Sequence, residues 1–141
     1  MLGGPHATAP SSATAGLHLT LVAHGIKPGD EVITTAMTFA ATVNVITLVG
    51  APYRFVDIDR GTLQMNMDEV AKKITKKTKA VIPVRFRRTT MDLDPLVELS
   101  KKHNFVIIED AAHAVGTEYK GKEDRFYSTP RRCSHFIPTK T

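Results

Sequence analysis

The chain has 141 residues, 42% hydrophobic and 23% charged, which is long enough for one α/β domain with a core of its own and short for two. It holds no run of about 18 apolar residues, and its start, MLGGPHATAP, lacks the charged-then-apolar order of a secretory leader. The single cysteine, Cys133, excludes an internal disulfide and a CxxC metal site, so the expectation is a cytoplasmic protein with no membrane partner and no metal. A net charge of +5 raises nucleic acid as a partner, yet the basic residues are patchy. Lys72, Lys73, Lys76 and Lys77 fall on a predicted helix and the loop after it, with Val70 and Ile74 opposite, which is the pattern of a solvated face. No nucleic-acid partner is therefore expected.

Residues 1–10, rich in Gly, Pro and Ala, read as a flexible tail. From Ser12 to His24, hydroxyl residues at the start, apolar residues at helical spacing and Gly25 past the end predict a helix. KPGD makes a turn into EVITT, a β-branched strand, and Thr38 is placed to cap a second helix, FAATVNVITLV, that stops at Gly50. YRFVDI then reads as a strand, DEVAKKI as a helix, AVIPV as a strand, DPLVELSKKH as a helix with Pro95 in its first turn, and FVIIED as a strand. Strand and helix alternate, which predicts an α/β fold with a mostly parallel sheet and helices on both faces. In such sheets ligands bind beyond the carboxyl ends of the strands, so the segments after EVITT and at the end of FVIIED are the candidates.

Asp110 ends its strand where a carboxylate is held rigidly yet can meet a ligand, and alternation sends Glu109 to the other face. A helix cap for the following AAHA is the structural alternative. His113 follows three residues later and would face the same pocket if the chain turned helical. Ser11, Ser12 and Thr14 open the first helix, where free N–H groups and the positive dipole end favour a phosphate, although on the residues alone an ordinary N-cap is the stronger reading. Phe39 lies just after a strand at the predicted cleft, where a lone Phe is more commonly core. Lys140 gains meaning only in combination: a phosphate seat, an aromatic plate, a strand-end carboxylate and a lysine together are what pyridoxal-phosphate chemistry requires.

The segments SSATAGLHL, PGDEVITTAMTFAATVNVI, FVDID, TKAVIPV, DLDPLVELSKKH, VIIEDAAHAVGTEYKG and PTK resemble the DegT/DnrJ/EryC1/StrS aminotransferase family, in order and over nearly everything from Ser11 to Lys122. The resemblance implies a fold type I architecture, pyridoxal 5'-phosphate (PLP) as cofactor, and amination of a nucleotide-linked keto-sugar for polysaccharide or amino-sugar biosynthesis, with glutamate or glutamine as donor. It implies that Ala13 and Thr14 hold the cofactor phosphate and that Phe39 stacks on the pyridine ring. Asp110 would pair with the ring nitrogen, His113 approach the ring hydroxyl, and Lys140 form the Schiff base. Members of the family are homodimers and continue well past this lysine, so residues 11–141 are expected to be a partial large domain, and the chain alone an incomplete enzyme. A non-catalytic remnant and a nucleotide-binding α/β module are the alternatives, the latter without a GxGxxG after any predicted strand.

Two segments leave the pattern. RFRRTT stands where the family has histidine and glycine, and in EDRFYSTPRRCSHFI the position of a phosphate-binding serine is His135, with Ser134 displaced by one residue and so turned the other way in an extended chain. Matching sequence resumes after each, as short compensating frameshifts would produce. On that reading the arginines of both segments, Arg85 included, have no role.

Overall fold

The computed structural model describes residues 9–86 and 91–112, together with the backbone of the short strands at 118–119, 122–123 and 132–135. The elements in chain order are α1 (Ala13–Ala23), β1 (Glu31–Thr35), α2 (Ala40–Leu48), β2 (Tyr53–Val56), α3 (Met67–Lys73), β3 (Thr78–Ile82), α4 (Asp94–His103), β4 (Val106–Asp110), β5 (Glu118–Tyr119), β6 (Lys122–Glu123) and β7 (Arg132–His135). β1 and α4 have the bounds that the sequence predicts, and the other predicted elements differ from theirs by a few residues at most. AVIPV loses its end because Pro83 has no N–H to extend the ladder.

Local chemistry accounts for most of the helix ends. The Ser12 hydroxyl accepts from the Ala15 N–H at 3.1 Å, and Asn66 caps α3 in the same way through Glu69. α3 carries Asp68 and Glu69 in its first turn and Lys72 and Lys73 in its last, charges that complement its dipole. α2, like α4 with Leu93, has no such cap: Phe39 occupies its N-cap position with no side-chain bond, and Thr38 turns its hydroxyl to Thr42 instead. The expectation that Thr38 caps this helix is thereby corrected. Gly50 ends α2 at φ +73°, and a Cβ there would lie 2.8 Å from Cγ of Pro28, so both backbone and space require glycine.

The five-stranded sheet has the order β2-β1-β3-β4-β7, all neighbours parallel, and β5 and β6 form a separate antiparallel pair. The chain leaves β1 for the β2 edge and then returns to β3 on the other side, so the winding reverses between β1 and β3. Side-chain alternation divides the core in two. Val32, Ala80, Ile82 and Ile108 join Leu17 and Leu21 of α1 and Val45 and Ile46 of α2 on one face. Ile33, Val81 and Ile107 join Val70 of α3 and Leu96 of α4 on the other. Each fully buried Leu or Ile contributes about 1.5–3 kcal/mol by leaving water, which is what fixes the helices to the two faces. α1 reaches β1 through the short turn at Gly25–Asp30, and its end residues His24 and Gly25 share a cleft with Lys79, Asn104 and Val106 at the amino ends of β3 and β4. Its amino end therefore points toward the carboxyl ends of the strands.

Candidate active site

The carboxyl ends of β1, β3 and β4 meet at the place where the winding reverses, the position at which a doubly wound sheet leaves a crevice. Asp110 is the last residue of β4 and is 7% exposed. The buried Thr42 of α2 donates its hydroxyl to Oδ2 at 2.7 Å, and the Ala112 N–H donates to Oδ1 at 3.3 Å. Thr38 and Thr42 share a 2.8 Å hydroxyl contact. Because Thr42 gives its one proton to the carboxylate, Thr38 is the donor in that pair, and the order Thr38 to Thr42 to Asp110 is set. The bond to Ala112, two residues on, is an Asx-type turn; it is the part of the cap reading for AAHA that falls on described residues.

Phe39 stands just past the end of β1 and is 76% exposed, which excludes the core role a lone Phe more commonly has. The loop that presents it is tied down by Thr35, whose hydroxyl donates to the Met37 carbonyl at 3.3 Å, and by Thr34, which donates to the Ile82 carbonyl at 3.0 Å. Ala13 and Thr14 form the first turn of α1, where backbone N–H groups have no partner within the helix. Ser12 satisfies the Ala15 N–H, and among the described residues no hydrogen bond reaches the N–H groups of Ala13 or Thr14. The ordinary cap thus takes one amide of this helix start and leaves those of Ala13 and Thr14 without a partner among the described residues. His113 and Lys140 lie outside the described residues. β7 does bring the second irregular segment to the site, since its backbone register sets His135 beside Asp110 and Ser134 beside Glu109.

Glu109 points to the other face, as alternation requires. Both it and Arg85 are buried, with guanidinium nitrogens 2.7 and 2.6 Å from Glu109 Oε2. Arg85 is therefore not idle, against the expectation for its segment. Its partner lies on the next strand, which no local pattern announces. Thr42 escaped the sequence reading for the same reason: an i, i+4 pair of threonines is visible in the sequence, but not the carboxylate from β4 that they face.

A parallel α/β sheet with a strand-end carboxylate at its winding reversal and a helix amino end directed toward it is part of a fold type I aminotransferase domain, and solved structures bear this out. The 3-amino-5-hydroxybenzoic acid synthase structure superposes with a TM-score of 0.82 at 35% identity, over 86% of this chain and 32% of its own. S. venezuelae DesV gives 0.81 at 33% identity, over 89% and 33%. NtdA from Bacillus subtilis, solved with bound cofactor PMP, gives 0.75 at 33% identity, over 80% and 26%. The model of the DegT/DnrJ/EryC1/StrS aminotransferase family matches residues 1–141, and the chain belongs to that family, whose cofactor is PLP. It spans about a third of the length of the solved structures it matches. The residues present fit the cofactor: an acceptor carboxylate with lone pairs to spare, an aromatic ring facing outward and a helix start with open N–H groups.

Proposed function

We propose that the chain forms the cofactor-binding part of an aminotransferase that moves an amino group from glutamate or glutamine to a keto-sugar carried on a nucleotide, in cytoplasmic polysaccharide or amino-sugar biosynthesis, and that it works as a homodimer. Residues 11–141 are the leading part of its large domain. The observation that carries the reading is the Asp110 carboxylate, rigidly held by Thr42 at the carboxyl end of β4. When bound, PLP supplies a ring that accepts electrons from the substrate carbon. The chain's own residues do the rest. Asp110 holds a proton on the ring nitrogen, and Phe39 covers one ring face and excludes water from it. The N–H groups of Ala13 and Thr14 bind the phosphate at the positive end of α1. Lys140 would hold the cofactor through its amine and move the proton at the reacting carbon, and His113 would approach the ring hydroxyl.

The nucleotide-linked sugar is the least constrained part, because a fold type hosts many substrates and one neighbour is a 3-amino-5-hydroxybenzoic acid synthase. The test is the absorbance spectrum of the purified chain with added PLP, before and after borohydride reduction, for the wild type, Lys140→Ala and Asp110→Asn. A band that needs Lys140, weakens in Asp110→Asn and is fixed covalently by reduction is the expected result. Its absence from the wild type would overturn the proposal in favour of a chain without PLP chemistry.

A further inference from the structure

The strand end that carries Asp110 is fastened from both faces. On one face Thr42 bonds the Asp110 carboxylate. On the other, Arg85 takes hold of the two last residues of β4 at once. Its backbone N–H donates to the Asp110 carbonyl at 3.0 Å, and its guanidinium closes on the Glu109 carboxylate at 2.7 and 2.6 Å. The Asp110 N–H donates in turn to the Pro83 carbonyl at 3.0 Å, so that Val84 and Asp110 form a parallel bridge beyond the regular end of β3. Arg85 and Glu109 are 2% and 1% exposed.

We propose that Arg85 is a positioning residue for the cofactor: by clamping Glu109 it fixes the roll of the β4 end and so the direction in which Asp110 presents its carboxylate. The inference rests on the reading of Asp110 as the partner of the cofactor ring. A buried carboxylate deprived of its cation is driven toward water or toward another donor. Glu109 and Asp110 are adjacent on one strand, so a rotation that frees the first displaces the second from Thr42. Lysine is no equal substitute, because a single ammonium on a flexible stem lacks the planar fork that here sets two nitrogens on one oxygen.

The test uses the full chain and three variants. Arg85→Met removes the clamp and takes the guanidinium from Glu109; Arg85→Met with Glu109→Leu removes both charges together; Arg85→Lys keeps the charge. Two quantities are read: hydrogen exchange of the Asp110 amide without cofactor, and the dissociation constant for PLP. Arg85→Met and the double variant are expected to speed exchange at Asp110 but not at Ile33 in β1, and to weaken PLP binding about tenfold, with Arg85→Lys in between. If Arg85→Met does not fold, the double variant decides. A double variant that folds and matches the wild type in both quantities overturns the role of Arg85 alone, whereas a wild type that takes up no PLP overturns the cofactor reading and this inference with it.

Discussion

Replacing Thr42 by valine tests the site at its most defined contact. The side chain is fully buried, its hydroxyl sits 2.7 Å from Asp110 Oδ2, and it receives the Thr38 hydroxyl at 2.8 Å. Valine keeps nearly the same volume, so cavity terms stay small and the change isolates the hydroxyl. A hydrogen bond to a charged acceptor is worth about 1.5–3 kcal/mol, and the part-buried Thr38 hydroxyl loses its acceptor as well. With a urea dependence of about 1–3 kcal/mol per molar, the unfolding midpoint of the cofactor-free chain should fall by roughly 1 M. Thr42→Ser keeps the hydroxyl and loses one methyl, about 0.8 kcal/mol, so it should lie between the two. PLP affinity should fall in Thr42→Val and hold in Thr42→Ser. A valine variant as stable as the wild type, or a serine variant that loses as much PLP affinity as valine, would refute the reasoning.

Two further outcomes follow from parts of the fold away from the site. Burial of Glu31 works to raise its carboxyl, but hydrogen bonds from Arg54, Thr78 and Thr75 outweigh it and hold the group below its ordinary value of 4.5. A folded value below the unfolded one means that the ionised form stabilises the fold at higher pH and that this contribution is lost as pH falls through the folded value. Denaturation midpoints between about pH 6 and pH 3 should therefore drop more steeply in the wild type than in Glu31→Gln, and parallel curves would exclude the effect. Asp59 is also lowered, by the backbone and side chain of Thr62, and titrates in both proteins, so the comparison isolates Glu31. Gly50→Ala should cost at least about 1–2 kcal/mol from the left-handed backbone alone, before the 2.8 Å approach to Pro28 is counted, and an unchanged midpoint would show that the turn rearranges freely.

What the sequence makes legible is local. Alternating strands and helices, the Ser12 cap and the glycine stop at Gly50 each write their signal within a few residues. The lysine-rich stretch resolves as expected for a solvated face: Lys72 and Lys73 lie 3.7 and 3.5 Å from Glu69, and Lys73 donates to the Phe55 carbonyl at 2.8 Å. Asp110 is recognisable as a candidate because strand-end position and residue type suffice. Thr42 and Arg85 are not, because their meaning lies in contacts across 68 and 24 residues of chain. Phe39 carries two conflicting signals, since apolar character suggests the core while its place just after β1 suggests the cleft, and the fold decides by leaving it exposed.

Glu109 and Asp110 show why position outranks residue type. They are neighbours of like charge, yet one residue of strand sends them to opposite layers. A carboxylate offers about four acceptor sites. Glu109, at 1% exposure, is enclosed with a guanidinium. Asp110, at 7%, receives a hydroxyl on one oxygen and a longer amide contact on the other, which leaves acceptor capacity on the side that opens at the carboxyl ends of the strands. Of the two, only Asp110 is both immobilised and reachable, and that combination is what a cationic ring nitrogen requires of its partner. Shifting β4 by a single residue would turn each side chain to the opposite layer, and the carboxylate proposed as the cofactor's partner would then be the enclosed one.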